Sequence, residues 1–314
     1  MPPTGTFDWA QVDVAVPRRA DRLPGVSMAG FSQHVSTLAD IAMVVHPSVT
    51  LILDLSVDGG IVHEAGGRRL RGSFVAGLLP GRLRAGGWKG ECLQIRLSPI
   101  AASAILGAPA ELSGTVVPLE DAWGRDAEQV EDELRTAASW DERFTIAMDV
   151  LARRLGTLPP VDPEVAHVWR RTLGSRGRVR IDHLAGEVGW SRKRLWSRFR
   201  SQLGITPKRA ARLVRFDRAA HLLAAGHAAA DVAGVSGYVD QAHLHREIKA
   251  FTELTPTAVA AAPWLAIDDV AWPSPSHGGA VGGGAVGGGA AGGGSAGGGS
   301  GWPGVHPPYM RAGL

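Results

Sequence analysis

His243, His245 and Glu247 stand two residues apart in the stretch GYVDQAHLHREIKAF, residues 237–251. Two imidazoles and a carboxylate can hold a zinc ion or work as an acid–base cluster. Either chemistry needs the three side chains to converge. A strand would put all three on one face. On a helix, residues two apart point about 200° from each other and do not meet. The neighbouring residues decide between the two. Leu244, Ile248 and Phe251 recur at helical spacing, Asp240 stands where an N-cap belongs, and Gly237 precedes it in a turn. A helix is therefore expected. His243 and His245 then flank an exposed surface, and Glu247 meets solvent or a neighbouring arginine. The chemistry of this stretch becomes surface recognition.

The elements that would position this helix repeat along the chain. ADVAGVSGYVDQAHLHREIKAFTELTP gives a short helix, a turn at Gly237 and a second helix. Upstream, RVRIDHLAGEVGWSRKRLWSRFRSQLGITP gives the same outline. There Asp182 is the expected cap of the first helix, with Ile181, Leu184 and Val188 inward. Gly189 closes it, and Ser191 caps a second helix with Leu195, Phe199 and Leu203 four apart. Between the two pairs, Pro207 opens a longer helix whose apolar face holds Leu213, Phe216, Ala220 and Leu223, and Gly226 stops it. Two helix-turn-helix units joined by one helix are expected. An earlier helix starts at Asp162–Pro163 and runs to about Leu173.

Charge is distributed unevenly. Residues 1–164 carry 15 Lys and Arg against 21 Asp and Glu, whereas residues 165–256 carry 17 against 7. A basic block of this kind beside an acidic one is the footprint of a nucleic-acid-binding region. There is one cysteine, Cys92, in the apolar context ECLQIRL. It excludes an internal disulfide and reads as a buried, reduced thiol. No apolar run reaches 18 residues and no secretory leader pattern opens the sequence, so a cytoplasmic protein without a membrane span is expected.

Residues 1–115 are rich in glycine and β-branched residues, with apolar runs at Val49–Leu55 and Cys92–Leu97 that read as core strands. The segment from Pro118 to Gly156 is helical in pattern, with Phe144, Met148, Leu151 and Leu155 on one face, Asp141 as expected cap and Pro159–Pro160 as stop. The fold class is α+β. A β-rich N-terminal domain with helices, for which a small cupin-like barrel is one form, is expected over 1–160, and an all-α double helix-turn-helix domain over 162–264. The GGGA and GGGS repeats of 274–314 have nothing to bury and are expected to be a disordered Gly-rich tail.

The block 162–264 resembles the DNA-binding domain of the AraC/XylS family of bacterial transcription regulators. The resemblance is carried by Asp231–Val232–Ala233, Gly237–Tyr238, Asp240 to Leu244, Arg246–Glu247, Phe251 and Thr255–Pro256. The first unit matches at Leu184–Ala185, Ser191, Leu195, Phe199 and Gly204 to Pro207. Two positions depart from the pattern: Ile248 stands where a phenylalanine is usual, and Trp196 where a small or polar residue is. The N-terminal block looks like the sensor-like domains of actinobacterial members, through GGRRLRGSFVAGL and QIRLSP. The resemblance implies a regulator with double-stranded DNA as partner.

Helix positions then nominate contacts. Lys193, Trp196 and Ser197 of the first recognition helix, and Gln241, Ala242, His243 and Arg246 of the second, are expected at base edges. Gln241 suits adenine, Arg246 guanine or phosphate, and Ala242 a thymine methyl. Arg192, Arg194, Arg200, His245 and Lys249 are expected at phosphates. Trp190 and Tyr238 read as structural anchors. The linking helix, from Pro207 to about Ala225, would span roughly 28 Å and could present two recognition helices to successive major grooves. RNA polymerase, a small effector and a second copy of the chain are further candidate partners. No cofactor and no metal are expected: the polar residues His34, His46, His63, Glu64, Arg68, Arg69 and Arg96 form no metal-ligand spacing and no nucleophile elbow. His63–Glu64 reads as surface. The rival readings are an architectural or constitutive DNA binder, and an enzyme with an appended DNA-binding domain, for which Cys92 lacks an activating setting.

Overall fold

The computed structural model describes residues 12–18, 23–33, 41–43, 45–56, 60–65, 67–79, 83–86, 90–107, 109–156, 160–262, 265, 268, 271 and 272. The chain separates into two units, residues 1–274 and 275–314, and every described residue belongs to the first. The Gly-rich tail and His34 lie outside the described residues, as does the side chain of Arg68.

Strands come first. They are β1 (Val12–Ala15), β2 (Val26–Gln33), β3 (Ile41–Met43), β4 (Val49–Asp54), β5 (Val62–Ala65), β6 (Arg68–Arg71), β7 (Phe74–Ala76), β8 (Leu83–Gly86), β9 (Gly90–Leu97) and, after two helices, β10 (Val116–Pro118). They pair antiparallel into a six-stranded sheet, β1-β2-β9-β4-β7-β10, and a four-stranded sheet, β3-β8-β5-β6. Side chains alternate across the first sheet. Leu51, Leu53, Val75, Leu93, Ile95 and Leu97 enter the main core. Phe31, Ile52, Phe74 and Cys92 point the other way and gather with Ile61 in a smaller apolar cluster. His63 joins this second face. It is buried, its ring centred 4.2 Å from that of Phe74, whereas Glu64 beside it is exposed. The expectation that both sit at the surface is corrected for His63, because the two-residue period of β5 turns it inward.

The helices are α1 (Pro99–Leu106), α2 (Pro109–Leu112), α3 (Leu119–Trp123), α4 (Asp126–Thr136), α5 (Trp140–Arg154), α6 (Pro163–Gly174), α7 (Ile181–Glu187), α8 (Arg192–Leu203), α9 (Pro207–Ala224), α10 (Ala229–Val235), α11 (Gln241–Thr252) and α12 (Pro256–Ala260). None of them is long and apolar enough to cross a membrane. Two expected caps are corrected. Ser139, not Asp141, caps α5. Its hydroxyl accepts from the Glu142 N–H at 3.2 Å, and the Glu142 carboxylate accepts from the Ala138 N–H at 2.8 Å. At α7 the capping position falls on Arg180, and Asp182 lies within the first turn, paired with Arg192 instead.

One apolar core runs from the first sheet through α5 and α6 to both helix-turn-helix units. Phe144, Leu151, Trp169, Leu195, Phe199, Leu213, Phe216, Leu244 and Ile248 all belong to it. The β-rich part and the helical part are therefore packed together, with α8 against α1 and α2.

Candidate nucleic-acid interface

The two units are built alike. In the first, Gly189 sits at φ 65° in the turn after α7, and the Ser191 hydroxyl accepts from the Arg194 N–H at 3.2 Å to start α8. In the second, Gly237 sits at φ 76° after α10, and the Asp240 carboxylate accepts from the His243 N–H at 2.6 Å to start α11. Both turns need the left-handed backbone that glycine adopts without strain. At Gly237 a Cβ would also stand 3.1 Å from Arg178 Cδ. Thr206 and Thr255 cap α9 and α12 in the same manner. Each such cap contributes about 1 kcal/mol.

Burial then fixes which faces are free. Leu195, Phe199 and Leu203 of α8 have no exposure, nor do Leu244 and Ile248 of α11. Arg192, Lys193, Arg194, Trp196, Ser197 and Arg200 are exposed on α8. Gln241, Ala242, His245, Arg246 and Lys249 are exposed on α11, with His243 half-buried. The sequence-nominated residues thus fall on two free helix faces, five or more on each.

Their surroundings differ residue by residue. Arg194 lies over the Trp190 ring at 4.6 Å, and Arg200 over Trp196 at 5.2 Å. Stacking of this kind holds a guanidinium in place while leaving its N–H groups free to donate. Arg192 is bonded to Asp182 at 3.1 Å. Arg198 donates to Asp162 through two bonds of 2.7 and 2.8 Å. Its guanidinium holds the Asp162 carboxyl below the usual carboxylate range. On α11 the His243 ring packs edge-on against Tyr238, 5.2 Å between centroids, and its Nδ1 accepts from the Val239 N–H at 3.4 Å. Gln241 Nε2 and His245 Nε2 are 3.5 Å apart.

Glu247 departs from the solvent option. It is buried, and its carboxylate accepts from Arg212 Nε at 3.0 Å, with Arg212 Nη2 at 2.7 Å. The arginine option holds, and the pair fastens α11 to α9. With His243 turned to the tyrosine, His245 outward and Glu247 inward, the three do not converge. Among the described residues no group of His, Cys, Asp and Glu could hold a metal ion.

The sequence reading did not single out the cluster on α6 and α7. Glu187 accepts from Arg171 Nη2 at 2.8 Å and lies 2.7 Å from His167 Nε2, with His183 Nε2 at 3.2 Å. Hydrogen bonds from Arg171 and His167 hold the Glu187 carboxyl down at about 2. The signal for it was the basic and acidic spacing across two helices, which only their packing brings together.

A protein-family model described as a helix-turn-helix domain matches residues 184–262, from α7 to the end of α12. This part of the chain matches a helix-turn-helix domain. The family match and the residues that carry the sequence resemblance coincide. No curated protein matches the chain. Among solved structures, it is similar to apo ToxT from Vibrio cholerae strain SCE256, at 10% identity over 77% of this chain and 99% of that one, with a TM-score of 0.46. It is also similar to the C-terminal domain of AraT, a response regulator from Geobacillus stearothermophilus, at 19% identity over 32% and 86%, with a TM-score of 0.31.

Proposed function

We propose that the chain is a sequence-specific transcription regulator that reads two adjacent major grooves of one duplex, with α8 in one and α11 in the next, and that its β-rich region modulates this reading. What supports the reading most is the pair of free, cation-bearing helix faces, one on the unit before the connecting helix and one on the unit after it. The 18 residues of α9 span about 27 Å. Successive major grooves on one face of a duplex lie roughly 34 Å apart, a span of the same order, so two units joined by this helix would serve two half-sites from one molecule.

Within this reading Lys193, Trp196 and Ser197 meet base edges from α8, and Gln241, Ala242, His243 and Arg246 from α11. Arg192, Arg194, Arg200, His245 and Lys249 hold phosphates. The cation–ring pairs favour the phosphate role of Arg194 and Arg200, since a guanidinium held over a ring keeps its charge but loses freedom to seek a base. The β-rich domain over 1–160 and the DNA-binding domain over 162–264 divide sensing from reading. RNA polymerase, a small effector and a second copy are the partners that this division would serve, in the cytoplasm.

Selection of bound duplexes from a random pool, followed by salt titration, tests the assignment. The double variant Lys193→Ala/Gln241→Ala is expected to lose the preferred motif, since each base contact is worth about 1–3 kcal/mol of discrimination. Arg200→Gln is expected to weaken all sequences alike and to lower the salt slope by about one unit. An unchanged motif in the double variant would sink the base-contact roles.

A further inference from the structure

Arginines of the helical region are commonly met by acids. Arg171 pairs with Glu187, Arg192 with Asp182, Arg198 with Asp162 and Arg212 with Glu247. Near the end of α9, His221 Nε2 and Arg96 Nη2 form a junction on the Asp268 carboxylate, at 2.9 and 2.7 Å. Four arginines stand outside this pattern. Arg176, Arg178, Arg215 and Arg218 have no carboxylate partner among the described residues.

Packing gathers these four. Arg176 and Arg178 flank Gly177 in the turn between α6 and α7. Gly177 sits at φ 71°, and a Cβ there would collide with the Ala211 carbonyl of α9 and stand 2.8 Å from Arg215 Cγ. The turn therefore lies directly on α9, where Arg215 and Arg218, three apart, share a face. The second unit closes the group. A Cβ at Gly237 would meet Arg178 Cδ, and Arg215 lies over the ring of Tyr238, the next residue, at 5.5 Å. The seam is thus built from the turn that enters the first unit, the connecting helix and the turn of the second unit.

The charges in this seam oppose one another. The Nε atoms of Arg215 and Arg218 are buried with no hydrogen-bond partner among the described residues. Burial, with Arg176 and Arg178 near, lowers Arg218 from the usual arginine range. Arg176 and Arg178 are exposed and Arg215 and Arg218 half-buried, so an anion reaches the group from solvent. Cations gathered without acids are costly until a counter-charge meets them. Guanidinium forks converging from three elements suit a phosphate, whose several oxygens accept from more than one fork at once.

We propose that Arg176, Arg178, Arg215 and Arg218 form a phosphate site at the seam between the two helix-turn-helix units, where one bound phosphate fastens both turns to the connecting helix. The phosphate comes from the backbone of a bound duplex or from a free phosphate ester. The duplex source rests on the function proposed above. The site itself does not, and it is tested without DNA.

The test uses the full chain, with inorganic phosphate as probe and chloride at the same pH and ionic strength as reference. Phosphate is expected to raise the melting midpoint of the unaltered chain by roughly 2–4 °C over chloride. Arg178→Gln/Arg218→Gln should abolish this rise. Arg176→Gln, at an exposed position, should at least halve it. In chloride at low ionic strength both variants should melt no lower than the unaltered chain, since each relieves repulsion. A clear drop in both would make these arginines structural and overturn the proposal. So would the absence of a phosphate-specific rise in the unaltered chain, or a rise that both variants keep. Duplex titration then names the source. If the backbone fills the seam, the double variant lowers the salt slope by about two units and keeps the preferred motif. If a free ester fills it, the slope stays and the phosphate rise alone is lost. A failed duplex selection with the phosphate rise intact would strike the regulator reading and leave the site standing.

Discussion

The two helix-turn-helix units share a plan and differ in what holds them. Each has a glycine turn, an oxygen cap and a buried stripe on its second helix. The first unit's recognition helix, α8, packs against α1 and α2 as well as α6, α7 and α9. It is tied further by Arg198 to Asp162 and by Arg192 to Asp182. The second unit's recognition helix, α11, packs against α9, α10 and α12. Its ionic tie is Glu247 to Arg212, and Phe251 stacks on Phe216 at 4.8 Å. One unit is set into the body of the protein, and the other hangs from the connecting helix. Similar local rules thus give two units that differ in what holds them, and the difference comes from their neighbours.

Core truncation should break the symmetry most visibly. Phe199 is fully buried with Trp169 nearby, ring centroids 6.5 Å apart, so Phe199→Ala should cost about 3–5 kcal/mol. Because α8 packs on α1 and α2, and α1 on β9, the loss should appear as a lower midpoint of one global thermal transition. Ile248→Ala should cost about 2–5 kcal/mol. Its loss should fall mainly on α10 and α11, as faster amide exchange there with the sheet still protected. If both variants produced the same global shift, the units would be equally embedded and the comparison would fail.

How much of this the sequence disclosed follows the same line. The two units were legible because caps, turn glycines and the spacing of Leu195, Phe199, Leu244 and Ile248 are local signals that agree with each other. The strands around Leu51 and Cys92 were legible through their apolar runs. Asp182 misled because the helix already begins at Ile181, which puts the aspartate in the first turn rather than at the cap, where Arg192 ten residues on engages it. His63 misled because a histidine beside a glycine turn looks polar, whereas the strand period sets its side. The burial of Glu247 depends on Arg212, 35 residues away. The junction of residues 96, 221 and 268 joins positions with no local pattern between them, so no spacing rule could reveal it. Of the nominated contacts, their placement on free faces followed from periodicity. The stacking of Arg194 and Arg200 did not, because it depends on rotamers.

A pH series should sharpen the comparison next, since the connecting helix ends at a titrating group. His221 is pushed up to about 9 from an ordinary value of 6.5, chiefly by its hydrogen bond to Asp268. Between 6.5 and 9 the folded chain binds more protons than the unfolded one, so stability falls as pH rises. The contribution is complete below 6.5 and gone above 9. Of the groups around His221, Asp217 is raised by burial to about 6, so it finishes losing its proton at the lower edge of this window and adds in the same direction, whereas burial brings His46 down to about 3 and Asp268 is held well below the usual carboxylate range. With the His221 side chain 35% exposed, the loss is on the order of 1 kcal/mol after screening. It should appear as a lower melting midpoint at pH 9 than at pH 6.5, and Asp268→Asn should flatten the profile. Exchange in the second unit should follow pH more steeply than in the first, since α9 leads directly into α10.

The smallest expected effect tests the charge on the embedded unit. Asp182 and Arg192 form an exposed pair on the first unit, with side-chain exposures of 52% and 75%. Exposed pairs add little to stability, so Asp182→Asn should leave the melting midpoint nearly unchanged. It should still free Arg192 for phosphate, raising duplex affinity by roughly twofold at low salt and less as salt screens the contact. In the second unit the buried acid Glu247 faces Arg212 on the inner side, and Lys249 and Arg246 face outward. The phosphate grip of the first unit would then be tempered by its own surface. An Asp182→Asn protein with unaltered affinity at every salt concentration would show that Arg192 serves the fold and not the duplex.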